Sequence, residues 1–282
     1  MRRRALSQLE AGGEPWDIGG AVYDNISFNH NAQTGFSIGG MTFSDDGNKL
    51  YIADNFTDDF GKAIFQYSMN SAYDINTASY DSKSYDPTTI SGFTSMSPHG
   101  LSVLNSGTKL FIQCPIYDRV FQFSLTTAYD ITTASYDSKN ISVASQDQDA
   151  RDMFFKPDGT KFYIVGNDNT KVFQYSLSSA YDISTASYDN KSLSLPSNTA
   201  GYRSLALSFD GLKVYVVDYN DDNIVLQYNL SVAWDISTAT YSGLSFDASS
   251  QINISVGIAF NDEGTKMFLN DVLDHKVFQY SL

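Results

Sequence analysis

The apolar and polar positions of this chain recur in a fixed order. Five times a short apolar run leads into a turn that ends in glycine. The runs are GMTFS (residues 40–44), GLSVL (100–104), DMFFK (152–156), SLALS (204–208) and GIAFN (257–261). The glycines are Gly47, Gly107, Gly159, Gly211 and Gly264. A lysine then opens a second apolar run: KLYIA, KLFIQ, KFYIV, KVYVV and KMFLN. Turn glycines supply the positive φ that a tight or bulged hairpin needs. The two runs are therefore predicted as paired strands a and b.

A third run carries a glutamine at Gln66, Gln122, Gln174, Gln227 and Gln279, as in KVFQYSL; it is predicted as strand c. An aromatic-Asp-Ile element follows at Trp16, Tyr73, Tyr129, Tyr181 and Trp234, in steps of 57, 56, 52 and 53 residues. Seven residues beyond each lies a tyrosine: Tyr23, Tyr80, Tyr136, Tyr188 and Tyr241. There strand d is predicted to begin. Four short strands in a period of this length describe one blade of a propeller. Apolar residues at successive positions, such as Met153-Phe154-Phe155, fit sheets covered on both faces.

The fifth copy is split between the two ends. Its strand c is the last seven residues, KVFQYSL, and its c–d connection and strand d are PWDIGGAVYDNISF, residues 15–28. The expected architecture is all-β: a five-bladed β-propeller with four antiparallel strands per blade. The N-terminal strand completes the C-terminal blade and removes two open sheet edges. Residues 1–14 are set apart as an N-terminal arm and residues 15–282 as the propeller. Residues 4–10 suit a short helix stopped by Gly12-Gly13.

Composition agrees with this. The 282 residues are 42% hydrophobic, with 19 Tyr and 19 Phe, and 18% charged. The net charge of −14 opposes nucleic-acid binding, which needs clustered Lys and Arg. One cysteine, Cys114, excludes an intrachain disulfide and a cysteine metal cluster. It ends a strand and reads as a small buried apolar residue. Arg2, Arg3 and Arg4 precede no long apolar run, so neither a conventional signal peptide nor a transmembrane segment is expected.

The hairpin FKPDGTKFYIVG (residues 155–166) resembles the PDGTKLYV hairpin of the propeller group that includes YVTN-type, TolB-type and lactonase-like proteins. The longer unit YSLSSAYDISTASYDNKSLSL is similar to tandem propeller repeats of bacteriophage and marine bacterial proteins, often structural or surface-exposed. The resemblance covers nearly everything after residue 14. It implies a fold and supplies no catalytic residues.

Sites in propellers gather where d–a and b–c loops open around the channel. The residues just before the strand a core include His99, Arg151 and Arg203, which could receive an anion or a sugar carboxylate. Their plainer reading is ion pairing with Asp147, Asp149 and Asp152. The acidic b–c loops offer Asp54, Asp58, Asp218, Asp221 and Asp271 as oxygen ligands for Ca²⁺. Their plainer reading is turn formation, with no cofactor. Phe56, Tyr117 and Tyr219 are loop aromatics suited to a sugar. The repeated Trp16, Tyr73, Tyr129, Tyr181 and Trp234 read as structural anchors.

A glycoside hydrolase needs two carboxylates facing one bond. The corresponding positions are Gly40, Gly100, Asp152, Ser204 and Gly257, only one of them acidic. No nucleophile elbow or phosphate loop occurs. The sequence thus favours a non-catalytic structural or interaction propeller of a virion or cell surface. Its expected partners are other structural proteins or further copies of itself, engaged in part through the arginine arm. The first alternative is a glycan-binding adhesin, and a glycoside hydrolase or lactonase ranks last; nucleic acid and membrane insertion are not expected.

Overall fold

The structure, a computed structural model, describes residues 14–35, 38–55, 63–196, 201–218 and 223–282. The arginine arm and the expected helix lie outside the described residues. So do Phe56, Asp58, Tyr219 and Asp221.

Strand β1 (Val22–Asn29) comes first and is set aside by the chain. Blade I is then built from β2 (Ile38–Phe43), β3 (Lys49–Asp54), β4 (Ala63–Ser68) and β5 (Ser79–Tyr85). Blade II holds β6 (Leu101–Leu104), β7 (Lys109–Cys114), β8 (Arg119–Leu125) and β9 (Ala134–Ser142). Blade III holds β10 (Ala150–Phe155), β11 (Lys161–Gly166), β12 (Lys171–Leu177) and β13 (Ala186–Ser194). Blade IV holds β14 (Tyr202–Leu207), β15 (Lys213–Asp218), β16 (Ile224–Leu230) and β17 (Ala239–Asp247). Blade V orders β18 (Ser255–Phe260), β19 (Lys266–Asp271) and β20 (Lys276–Ser281), and β1 is its fourth strand. Antiparallel pairs such as Tyr23 with Tyr280 and Phe28 with Val277 close the ring. Strand d begins one or two residues before the spaced tyrosine, not at it, because the pairing already starts at Ala186 with Leu177.

Five hydrophobic cores lie between neighbouring blades rather than inside any one of them. In β11, Phe162 and Ile164 pack toward blade II, while Tyr163 and Val165 pack toward blade IV. Alternate side chains point to opposite sheet faces. Both faces are covered here, which is why the sequence shows unbroken apolar runs.

The repeated polar residues are the ties between blades. Gln66 Oε1 accepts from Ile131 N (2.9 Å), Gln122 from Ile183 N (2.7 Å), Gln174 from Ile236 N (2.9 Å) and Gln227 from Ile18 N (3.2 Å). Salt bridges Lys83–Asp130, Lys139–Asp182 and Lys191–Asp235 cross the same interfaces. At the seam between blades V and I the glutamine tie is missing, and Gln279 Oε1 is buried without a hydrogen-bond partner.

Each aromatic anchor lies on the turn glycine of its own repeat. Tyr181 N donates to Gly159 O (3.0 Å), and a Cβ on Gly159 would sit 2.4 Å from the Tyr181 ring. Both residues have positive φ, 59° and 69°. Only glycine satisfies both demands at the turn.

Candidate active site

The d–a and b–c loops open on one face of the ring. There His99, Arg151 and Arg203, from three successive blades, meet Asn55, Asp149 and Ile116 around a mouth of about 400 Å³. The three candidates named from sequence therefore converge. The sequence reading missed Asn55 and Ser97. Asn55 shares its register with Asn167, and Ser97 with Ser37, so nothing in the repeat marks them as functional.

His99 follows Ser97 and Pro98 in the approach to β6. Its ring is enclosed by protein except at the mouth. Nδ1 lies 3.2 Å from Ser97 O, a bond that places a proton on Nδ1. Nε2 is then the acceptor. It lies 3.1 Å from Asn55 Nδ2 and 3.3 Å from Arg151 Nη1. Burial pulls the His99 pKa down to about 4; the charges of Arg151 and Arg203 push the same way, against the Ser97 bond and Asp149. His99 is thus a neutral base at neutral pH.

Arg151 is held by Asp149. Nη2 donates to Asp149 Oδ2 (2.7 Å), and Nε lies 2.7 Å from Asp149 Oδ1 without hydrogen-bond alignment. Asp149 Oδ2 also accepts from Asn167 Nδ2 (2.7 Å). The pairing read from sequence is present, and the guanidinium it fixes still faces His99 through Nη1.

Below the mouth the five strand a positions form a throat. Each abuts the main chain of the next blade. Asp152 Oδ2 accepts from Leu205 N (3.0 Å) and from Ser204 Oγ (2.5 Å); Ser204 Oγ in turn accepts from Ile258 N (3.0 Å). A Cβ on Gly100 would lie 2.7 Å from Met153 N, so glycine lets that blade come close. Asp152 faces the throat rather than Arg151.

The remaining candidates do not join this cluster. Asp54 is buried and accepts from Gly35 N (2.5 Å). Asp271 accepts from Asn253 N, Ile254 N and Leu273 N. Asp218 ends β15, buried, on another blade. These three carboxylates each serve a separate blade, and the described residues contain no group of three or more acidic, His or Cys side chains that could hold a metal ion. Tyr117 is half-buried against Phe93 and Phe121, and its hydroxyl accepts from Ser95 N (3.1 Å). Cys114 is fully buried, and its Sγ accepts from Ser97 N (3.2 Å) behind the site. No helix among the described residues is long and apolar enough to cross a membrane.

Fold and mouth together define a five-bladed propeller with a basic, histidine-bearing opening on its loop face. No family model and no curated protein matches the chain. Solved structures do. A candidate 6-phosphogluconolactonase from Bacteroides uniformis is 12% identical, with TM-score 0.55, covering 85% of this chain and 79% of that one. One from Bacteroides fragilis is 13% identical, with TM-score 0.54, covering 86% and 77%. The periplasmic gluconolactonase of Pseudomonas aeruginosa is 15% identical, with TM-score 0.50, covering 86% and 68%. At these identities the likeness carries the fold alone. The names these neighbours carry stand against the expectation of a non-catalytic virion or adhesion module. The three neighbours that carry an activity name are lactonases, and no comparison supports a phage or adhesion role. The sequence reading searched for paired carboxylates and nucleophile motifs, and a buried histidine beside arginines matches neither pattern.

Proposed function

We propose that the protein is a lactone hydrolase whose active site is the loop-face mouth. The observation that carries this reading is the unprotonated His99, with Nε2 as acceptor, set beside the guanidinium of Arg151 and near that of Arg203. A water held on His99 Nε2 attacks the ring carbonyl carbon. Its proton passes to Nε2 as the new C–O bond forms. Arg151 and Arg203 face the negative charge that develops on the carbonyl oxygen, and Asn55 Nδ2 is a further donor. Collapse breaks the ring C–O bond, and His99 returns the proton to the leaving alkoxide. The product is an open hydroxy acid, whose carboxylate suits the two guanidiniums. The lactonase names of the fold neighbours support this class of reaction, and the periplasmic name of one supports action outside the cytoplasm.

The test is a pH-stat assay on a panel of aldonolactones, with and without a phosphate group. Turnover above the spontaneous rate is expected, with kcat/KM falling about a hundredfold or more in His99→Gln and in Arg203→Met. An absence of turnover across the panel, or full activity in both variants, overturns the reading.

A further inference from the structure

The ring axis holds a second cavity, on the other side of the throat. It has a volume of about 200 Å³ and opens toward the a–b turns. Its wall comes from strand a of all five blades and is largely apolar: Leu101, Val103, Phe154, Ala206 and Ile258. Its inner end is Asp152. That carboxylate accepts from Met153 N (2.8 Å), Ser204 Oγ and Leu205 N. Two carboxylate oxygens offer about four acceptor positions, so one remains open. No lysine or arginine pairs with Asp152 among the described residues. A buried carboxylate without a cation is unusual, because burying the charge alone is costly. Burial pushes its pKa up to about 7.

The outer end of the cavity has matching chemistry. Trp16, Tyr73 and the exposed Phe209 stand there with Asp45 and Asp262. Aromatic faces attract cations, and paired carboxylates concentrate them. An anion would meet the same charges as a barrier. A neutral apolar guest would leave the open position of Asp152 unfilled.

We propose that this axial cavity binds a slender, apolar molecule bearing an ammonium group, an aryl- or alkylamine. The guest passes Trp16 and Phe209, lays its body along Phe154 and Ala206, and donates from its ammonium to Asp152. The ammonium supplies the charge partner that the fold withholds. The site lies across the throat from the lactone mouth and does not depend on that reading.

Titration of the full chain with 2-phenylethylamine at about pH 8 tests this, by calorimetry and by fluorescence of the two tryptophans, of which Trp16 lines the cavity. 2-Phenylethanol and 3-phenylpropanoate are the neutral and anionic probes of similar shape. The amine is expected to bind at a single saturable site, about tenfold tighter than the alcohol, with the carboxylate weaker still. Asp152→Asn should bring the amine down to the level of the alcohol. Ala259→Phe, which fills the cavity from a half-buried position, should weaken both, and keeps the test open if Asp152→Asn does not fold. Equal affinity for amine and alcohol overturns the proposal. So does amine binding that Ala259→Phe leaves unchanged, or an absence of binding at millimolar amine.

Discussion

Arg151 Nη1 lies 3.3 Å from His99 Nε2, so the cation and the base of the mouth share one hydrogen-bonding position. A positive neighbour disfavours the imidazolium. Burial is the larger cause of the depression, so replacing Arg151 with Met should raise the His99 pKa from about 4 only part of the way toward its ordinary 6.5. The base is active when unprotonated, so hydrolysis should fail below about pH 4 in the native protein. In Arg151→Met the acid limb should move upward. Proton NMR titration of the three histidines reads the same shift without an assay. A His99 titration that does not move would remove Arg151 from this role.

Gln174 should matter more than its place on a surface-like repeat suggests. Its Oε1 accepts from Ile236 N across the blade interface, and its Nε2 donates to Asp189 (2.7 Å). Gln174→Leu leaves a buried N–H and a carboxylate oxygen without that partner. A loss of about 1–3 kcal/mol is expected in urea denaturation. The same change at Gln279, whose Oε1 has no partner, should be milder.

Two glycines separate backbone strain from contact. Gly159 and Gly92 both have positive φ, 69° and 85°. A Cβ at Gly92 meets nothing within 4 Å, whereas at Gly159 it meets the Tyr181 ring. Gly92→Ala should cost about 1–2 kcal/mol for the left-handed backbone alone. Gly159→Ala should cost clearly more, since Tyr181 must leave its turn. Equal melting temperatures for the two variants would mean the anchor contributes little.

Asp152 gives stability a sign on the alkaline side. Its native pKa is about 7, against an ordinary 3.8, because burial penalises the charge. Between about pH 4 and 7 the native state keeps a proton that the unfolded chain has released. Stability from this group therefore falls as pH rises through that window, by on the order of 4 kcal/mol. His30 and His99 act oppositely. Their native values of about 3 and about 4 lie below 6.5, so the unfolded chain takes up protons first and stability falls below about pH 6.5. The stability of Asp152→Asn relative to the native chain should rise from pH 5 to about 7 and level off above that. A flat difference would show that Asp152 does not hold its proton.

The blade plan was legible because each landmark has one structural task repeated five times. Gln174 ties blades, Tyr181 covers a turn glycine, and Ile183 is buried at 0% exposure beneath the c–d connection. Repetition exposes such residues without a structure. Leu244 and Ile26 stand where Lys191 and its equivalents make cross-blade ion pairs, so the copies differ at those interfaces. The mouth is the reverse case. His99, Arg151 and Arg203 share a register, and the sequence placed them near the channel. Their meaning depends on burial and on the Nδ1 bond to Ser97 O, which spacing does not encode. Asn55 enters from the b–c loop of blade I, and the packing of that blade against blade II brings it within 3.1 Å of His99.

Asp24 and Gln279 bond to one another although 255 residues separate them. During synthesis β1 leaves the ribosome before the strands of blades I to IV, and its partner β20 follows them. Blades I to IV can form in turn while that ribbon waits. The final blade, and with it the circle, can lock only after Lys276–Ser281 has been made, so a nascent chain stalled short of Lys276 would carry two unmatched sheet borders and invite mispairing with its neighbours.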